Sequence, residues 1–154
     1  MIESTFELDE NNLALQLGDI FSEYDELIKT AEVLFQIQGA RLEKIARDVP
    51  YHQATYARHA ENAKHIVKWL EVYLGKLEAR CTKNYLAGQR ALGQREMQAL
   101  IQGEKDVVEA KQLITEASRI YQNLASIVEA FQQMGWMVGH ITKLRVAELH
   151  DVII

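Results

Sequence analysis

The sequence predicts an all-α protein: a long antiparallel helical hairpin or bundle with a short C-terminal helix. Three observations carry this expectation. Two apolar seams, at 60–81 and 107–131, step by three and four residues in strict alternation. Only one proline, Pro50, stands in 154 residues. Ala, Leu, Glu, Gln and Lys are plentiful, and these residues favour helices over turn-rich β architecture.

Residues 1–18 read as an acidic N-terminal arm. Phe6, Leu8, Leu13, Leu15 and Leu17 alternate around Asp9-Glu10-Asn11-Asn12, a pattern that fits a small β-hairpin, an extended arm or a partly ordered tail. The rest, 19–154, reads as one helical domain. A first helix is expected over 19–47, where Ile20, Tyr24, Leu27, Ile28, Ala31, Leu34, Leu42 and Ile45 recur at helical spacing and Gly39 weakens the pattern. Asp48-Val49-Pro50 reads as a stop and restart, because Asp caps well and Pro is tolerated in a first turn.

A second helix is expected over 50–87, with the seam Ala60, Ala63, Val67, Leu70, Leu74, Leu77 and Cys81. Gly88 and Gly93 bracket a turn. A third helix, 94–134, carries Val107, Ala110, Ile114, Ala117, Tyr121, Leu124, Val128 and Phe131, widened by Leu113, Ile120 and Ile127. Gly135 is expected to end it. A terminal helix over 136–150 follows, and Leu149, Val152 and Ile153 give the chain an apolar end suited to a subunit interface.

The net charge of −5 hides a sorted distribution. Residues 1–32 hold nine acids and one base, a local net of −8. Residues 33–95 hold eleven bases and five acids, a local net of +6; residues 96–154 return to −3. A basic stretch on helices is an electrostatic footprint for a polyanion. Lys68, Lys76 and Lys83, separated by eight and seven, lie near one face of the second helix, off its seam. Glu61, Glu71 and Glu78 are near enough to pair with bases there, so a solvated face and a nucleic-acid contact fit the pattern equally well. Of the interleaved aromatics, Trp69 and Tyr73 read as packing between helices, and Tyr85, beside Lys83 and Gly88, as the better base-stacking residue.

Other functions find little footing. No phosphate-cradling loop or dinucleotide turn occurs. Glu61 precedes His65 by four without recurrence, and His52 and His59 lack a converging second pair, so neither metal nor cofactor is expected. Cys81 lies on the apolar seam as a small hydrophobe rather than a nucleophile, and a lone cysteine suits a reducing cytosol. No membrane span or basic leader is legible. No acid, base and nucleophile assemble, so a non-enzymatic protein is expected.

Two stretches resemble the UvsY family of phage recombination mediators. One is Glu96-Met97, Leu100-Ile101 and Glu104-Lys105-Asp106-Val107; the other is Gly135-Trp136, Val138, His140-Ile141, Leu144 and Arg145, at a matching separation. Ala60, Asn62, Lys68-Trp69-Leu70, Ala79-Arg80, Tyr85 and Gly88 resemble the family more loosely. The span from Trp69 to Arg80 is shorter than the family's by about two heptads, which preserves the seam. Glu78 and Gly139 stand where bases are expected, and Asn84 where a second Tyr is.

The resemblance implies an accessory of homologous recombination in the cytoplasm of an infected bacterial host. Its partners would be single-stranded DNA, a RecA-like recombinase and a single-strand-binding protein. Subunits would form a closed homo-oligomer, a ring, through Trp136, Val138, Ile141, Leu144, Leu149, Val152 and Ile153 in the C-terminal helix. DNA contacts are expected first at Arg80 and Lys83, then at Lys76, Lys68, Arg90 and Arg95, with Tyr85 stacking. The rival reading is a helical oligomeric scaffold or regulator that binds only proteins.

Overall fold

The structure is a computed structural model that describes residues 8, 10, 12–36, 41–88 and 92–151, the last three without their side chains. Four helices follow in order: α1 (Leu13–Leu34), α2 (Leu42–Leu86), α3 (Gln94–Gly103) and α4 (Lys105–Asp151). No strand occurs among the described residues. The all-α expectation therefore holds. The hairpin or arm expected at 1–18 lies largely outside the described residues, but its last part is helical. Gln16 N–H donates to the Asn12 carbonyl at 3.1 Å, and Leu13 and Leu17, one helical turn apart, are both buried.

The helix boundaries differ from the sequence expectation at three places. The first helix ends at Leu34 rather than at 47. Pro50 does not restart a helix; it sits inside α2, which begins at Leu42. Proline has no N–H to donate and costs a helix interior about 3 kcal/mol. The neighbours offset that loss: Val49 is buried beside it and Tyr56 is buried two turns on. Gly135 also lies within a helix, since α4 runs from Lys105 to Asp151. The break falls instead at Glu104, whose extended backbone (φ −61°, ψ 134°) separates α3 from α4.

The chain divides into two compact units, 1–21 with 62–120 and 22–61 with 121–154. The first unit has an aliphatic core in which Leu77, Ile101, Val107 and Ala110 cluster, with Tyr73, Leu74, Cys81, Tyr85 and Met97 packed against them. Burying such side chains stabilises by roughly 1.5–3 kcal/mol each. The short α3 is held by this cluster through Met97 and Ile101.

The second unit has an aromatic core centred on Phe131. Its ring lies 4.6 Å from Phe35, 5.5 Å from Tyr56 and 5.7 Å from His52, centroid to centroid. Tyr56 donates its hydroxyl to the Leu27 carbonyl at 2.9 Å, tying α2 to α1. Gly135 faces Val49, whose Cγ1 is 3.7 Å from where a Cβ would stand. Tyr24 and His59 meet edge-on at 6.1 Å, and neither the Tyr24 hydroxyl nor His59 Nδ1 has a hydrogen-bond partner among the described residues. Burial, then Glu23, pushes the Tyr24 hydroxyl up to about 12. Burial, then Arg58, lowers the His59 pKa.

Candidate nucleic-acid interface

The described basic residues singled out from the sequence, Lys68, Lys76, Arg80, Lys83 and Arg95, fall in the first unit, on α2 and α3. The buried side of α2 there is Ala63, Ile66, Leu70 and Leu77. Lys68, Lys76, Arg80 and Lys83 stand off that side and are exposed, as is Arg95 in the first turn of α3. Helical periodicity produces this separation: Lys76 and Lys83, seven positions apart, share a face away from the three–four seam, and Lys68 stands about 80° round the helix from Lys76, also off the seam. Arg90 lies outside the described residues.

The aromatic residues differ in what holds them: Tyr73 packs against the aliphatic cluster, in keeping with the packing expected of it, and so does Tyr85. Tyr85 is only half-exposed, packs against the aliphatic cluster and donates its hydroxyl to Glu104. That hydrogen bond raises the Tyr85 pKa. A ring held this way closes the α2 end of the unit against the α3–α4 junction and is poorly placed to stack on a base. Trp69 and Tyr73 instead stack on each other, with centroids 5.5 Å apart and planes 14° from parallel. Both are half-buried, with Lys68 and Lys76 exposed beside them. Steps of four, three and four join Trp69, Tyr73, Lys76 and Arg80 in one stripe along α2. Rings next to cations are the elements of a single-strand platform. The four-residue spacing of the rings is the sequence signal for this stack, but the same spacing also describes packing between helices.

The cations are not equivalent. Lys76 Nζ is 3.5 Å from Glu10 Oε1. Arg80 lines a groove of about 600 Å³ with Glu10, Tyr73, Asp106 and Glu109. Burial, then Glu10 and Asp106, raises the Tyr73 pKa, and Arg80 opposes them. Arg80, expected to lead the contacts, therefore stands among carboxylates. Among the described residues Lys68, Lys83 and Arg95 take part in no ion pair within 4 Å.

Of the residues expected to join subunits, Trp136, Val138, Ile141, Leu144 and Leu149 lie on α4 in the second unit. Trp136 is 65% exposed, Leu144 63% and Ile141 38%, and Met137, which was not among those expected, is 57% exposed. Met137, Ile141 and Leu144 recur at four and three and share one side of the helix. Val138 differs: it is buried and belongs to this chain's own core, so its surface is not offered to a second subunit. The Leu149 side chain, Val152 and Ile153 lie outside what is described.

No group of three or more metal-ligating residues occurs among the described residues, and no described helix is long and apolar enough to cross a membrane. The fold and this surface define an all-helical protein with a cationic, aromatic-flanked stripe. Comparison with protein-family models, curated proteins and solved structures found no match.

Proposed function

We propose that this protein is a non-enzymatic, single-strand DNA-binding recombination mediator of the UvsY kind. In this reading it helps a RecA-like recombinase to assemble on DNA covered by a single-strand-binding protein. It works in the cytoplasm of an infected bacterial host. The observation that carries the reading is the exposed row of Lys68, Lys76 and Lys83 beside the Trp69–Tyr73 stack. Lysines neutralise phosphates and release counterions, while rings accept bases of any sequence. The exposed Trp136, Met137, Ile141 and Leu144 support self-association, which would repeat a modest site around a ring and give avidity.

Tryptophan fluorescence tests this directly. In a Trp136→Phe chain Trp69 is the remaining tryptophan. Oligothymidylate at low salt is expected to quench it, with light scattering giving the assembly mass in parallel. A spectrum unmoved by the oligonucleotide, with no binding by anisotropy, removes the strand from the site.

The carboxylates around Arg80 favour a second reading, a helical scaffold that recognises only proteins. In that case self-association persists while strand binding is absent.

A further inference from the structure

Two ends of the α2 stripe carry different company. At the Lys68–Trp69 end the cation is exposed and the ring is partly open. At the Tyr73–Arg80 end a carboxylate from the N-terminal segment is already seated. Glu10 Oε1 is 3.5 Å from Lys76 Nζ, and both side chains remain substantially exposed. The same Glu10 lines the groove that holds Tyr73 and Arg80.

We propose that Glu10 occupies the place of a strand phosphate on this stripe, so that the chain's own carboxylate competes with polyanions for Lys76 and Arg80. The proposal rests on the strand-binding reading and adds its regulation. Four observations support it. A carboxylate and a phosphate present the same chemistry to an ammonium: negative oxygens that accept charge-assisted hydrogen bonds. Glu10 is tethered close to α1, which begins at Leu13, so it acts at a high effective concentration. The pair is exposed, hence weak enough for a strand to displace. The acids are concentrated at this end of the chain, with nine of the first 32 residues acidic and one basic.

Asp106 and Glu109 line the groove as well, but they belong to the first turns of α4 and are fixed there. They set a constant repulsion in the groove. Glu10, preceding α1, is the carboxylate on Lys76. A partner that paired with Glu10 in place of Lys76 would free that lysine and tighten strand binding. A partner with a basic surface has that chemistry.

The experiment compares oligothymidylate affinity at low salt for the native chain, Glu10→Gln, Asp19→Asn, Lys76→Gln and the Glu10→Gln/Lys76→Gln double variant. Asp19→Asn removes the same charge from an exposed position that does not line the groove. Glu10→Gln is expected to tighten binding about two- to five-fold, as fits an exposed pair. The tightening should exceed that of Asp19→Asn and vanish in the Lys76→Gln background. Equal tightening by Glu10→Gln and Asp19→Asn, or a gain that survives Lys76→Gln, overturns the competition and leaves strand binding standing. Absence of binding by every chain overturns strand binding, and the competition with it.

Discussion

The two units of this chain use different chemistry for the same task of burying helices. The first builds an aliphatic cluster, Leu77, Ile101, Val107 and Ala110, and turns cations outward along α2. The second builds around aromatic rings, with Phe131 touching Phe35, His52 and Tyr56, and leaves Trp136, Met137, Ile141 and Leu144 exposed. In the second unit one large ring gathers three aromatic neighbours, whereas in the first the cluster is shared among medium aliphatics. The surfaces singled out differ too: the cationic stripe of α2 in one unit, the apolar Trp136, Met137, Ile141 and Leu144 of α4 in the other. The proposed strand binding and the proposed self-association are thus open to separate substitution.

The largest expected effect is on the aromatic unit. Phe131→Ala should destabilise by about 3–5 kcal/mol, because it removes a fully buried ring with three aromatic neighbours. Val107→Ala, which deletes a smaller side chain from the aliphatic cluster, should cost less. Chemical denaturation measures both. Equal losses would erase the contrast between concentrated and shared cores.

Next in size is Leu144→Glu. Leu144 is 63% exposed, so the substitution should leave the fold intact while lowering the assembly mass seen by light scattering. An unchanged mass would separate the α4 surface from self-association.

Gly135→Ala tests the continuity of α4 and is expected to stabilise by about 0.5–1 kcal/mol. Alanine suits a helix interior better than glycine, and its Cβ would meet Val49 at ordinary contact distance, 3.7 Å. If Gly135 ended a helix in the left-handed conformation, the same change would destabilise.

The smallest effect is pH dependence in the second unit. His59 has a lowered pKa in the fold because burial, then Arg58, disfavours its cation. The unfolded chain therefore binds the proton more readily. This contribution to stability is fully present above the ordinary histidine value of about 6.5 and is lost as pH falls toward the depressed folded value. Tm should drop between pH 7 and 5, and less so in His59→Phe. Parallel curves for the two chains would exclude His59 as the source.

Much of the fold was legible because the seams obey a single period. Every residue expected on the α2 and α4 seams is buried or half-buried. The boundaries were less legible because Pro50 and Gly135 signal breaks by local propensity alone. Packing overrides both: Val49 is buried beside Pro50, and its side chain also meets Gly135. Leu13, Leu15 and Leu17 alternate like a strand, yet Leu13 and Leu17 point inward and Leu15 outward, as a helix requires.

The candidate surface was half legible. Lys68, Lys76 and Lys83 stand off the seam as the spacing implies. The Trp69–Tyr73 stack has its signal in the four-residue spacing, whereas the Tyr85–Glu104 hydrogen bond depends on a tertiary neighbour and was not legible. Nor was the seating of Glu10 on Lys76, which joins residues 66 positions apart.

The most direct measurement is the salt dependence of oligothymidylate affinity for the native chain and for Lys68→Gln/Lys83→Gln, followed by fluorescence anisotropy. Affinity should fall steeply as salt rises. The double substitution should weaken binding and flatten the log–log slope by about 0.7 for each phosphate no longer neutralised. An identical slope for the two chains, or no binding by the native chain in dilute salt, would contradict the assignment of α2 as the strand-binding surface.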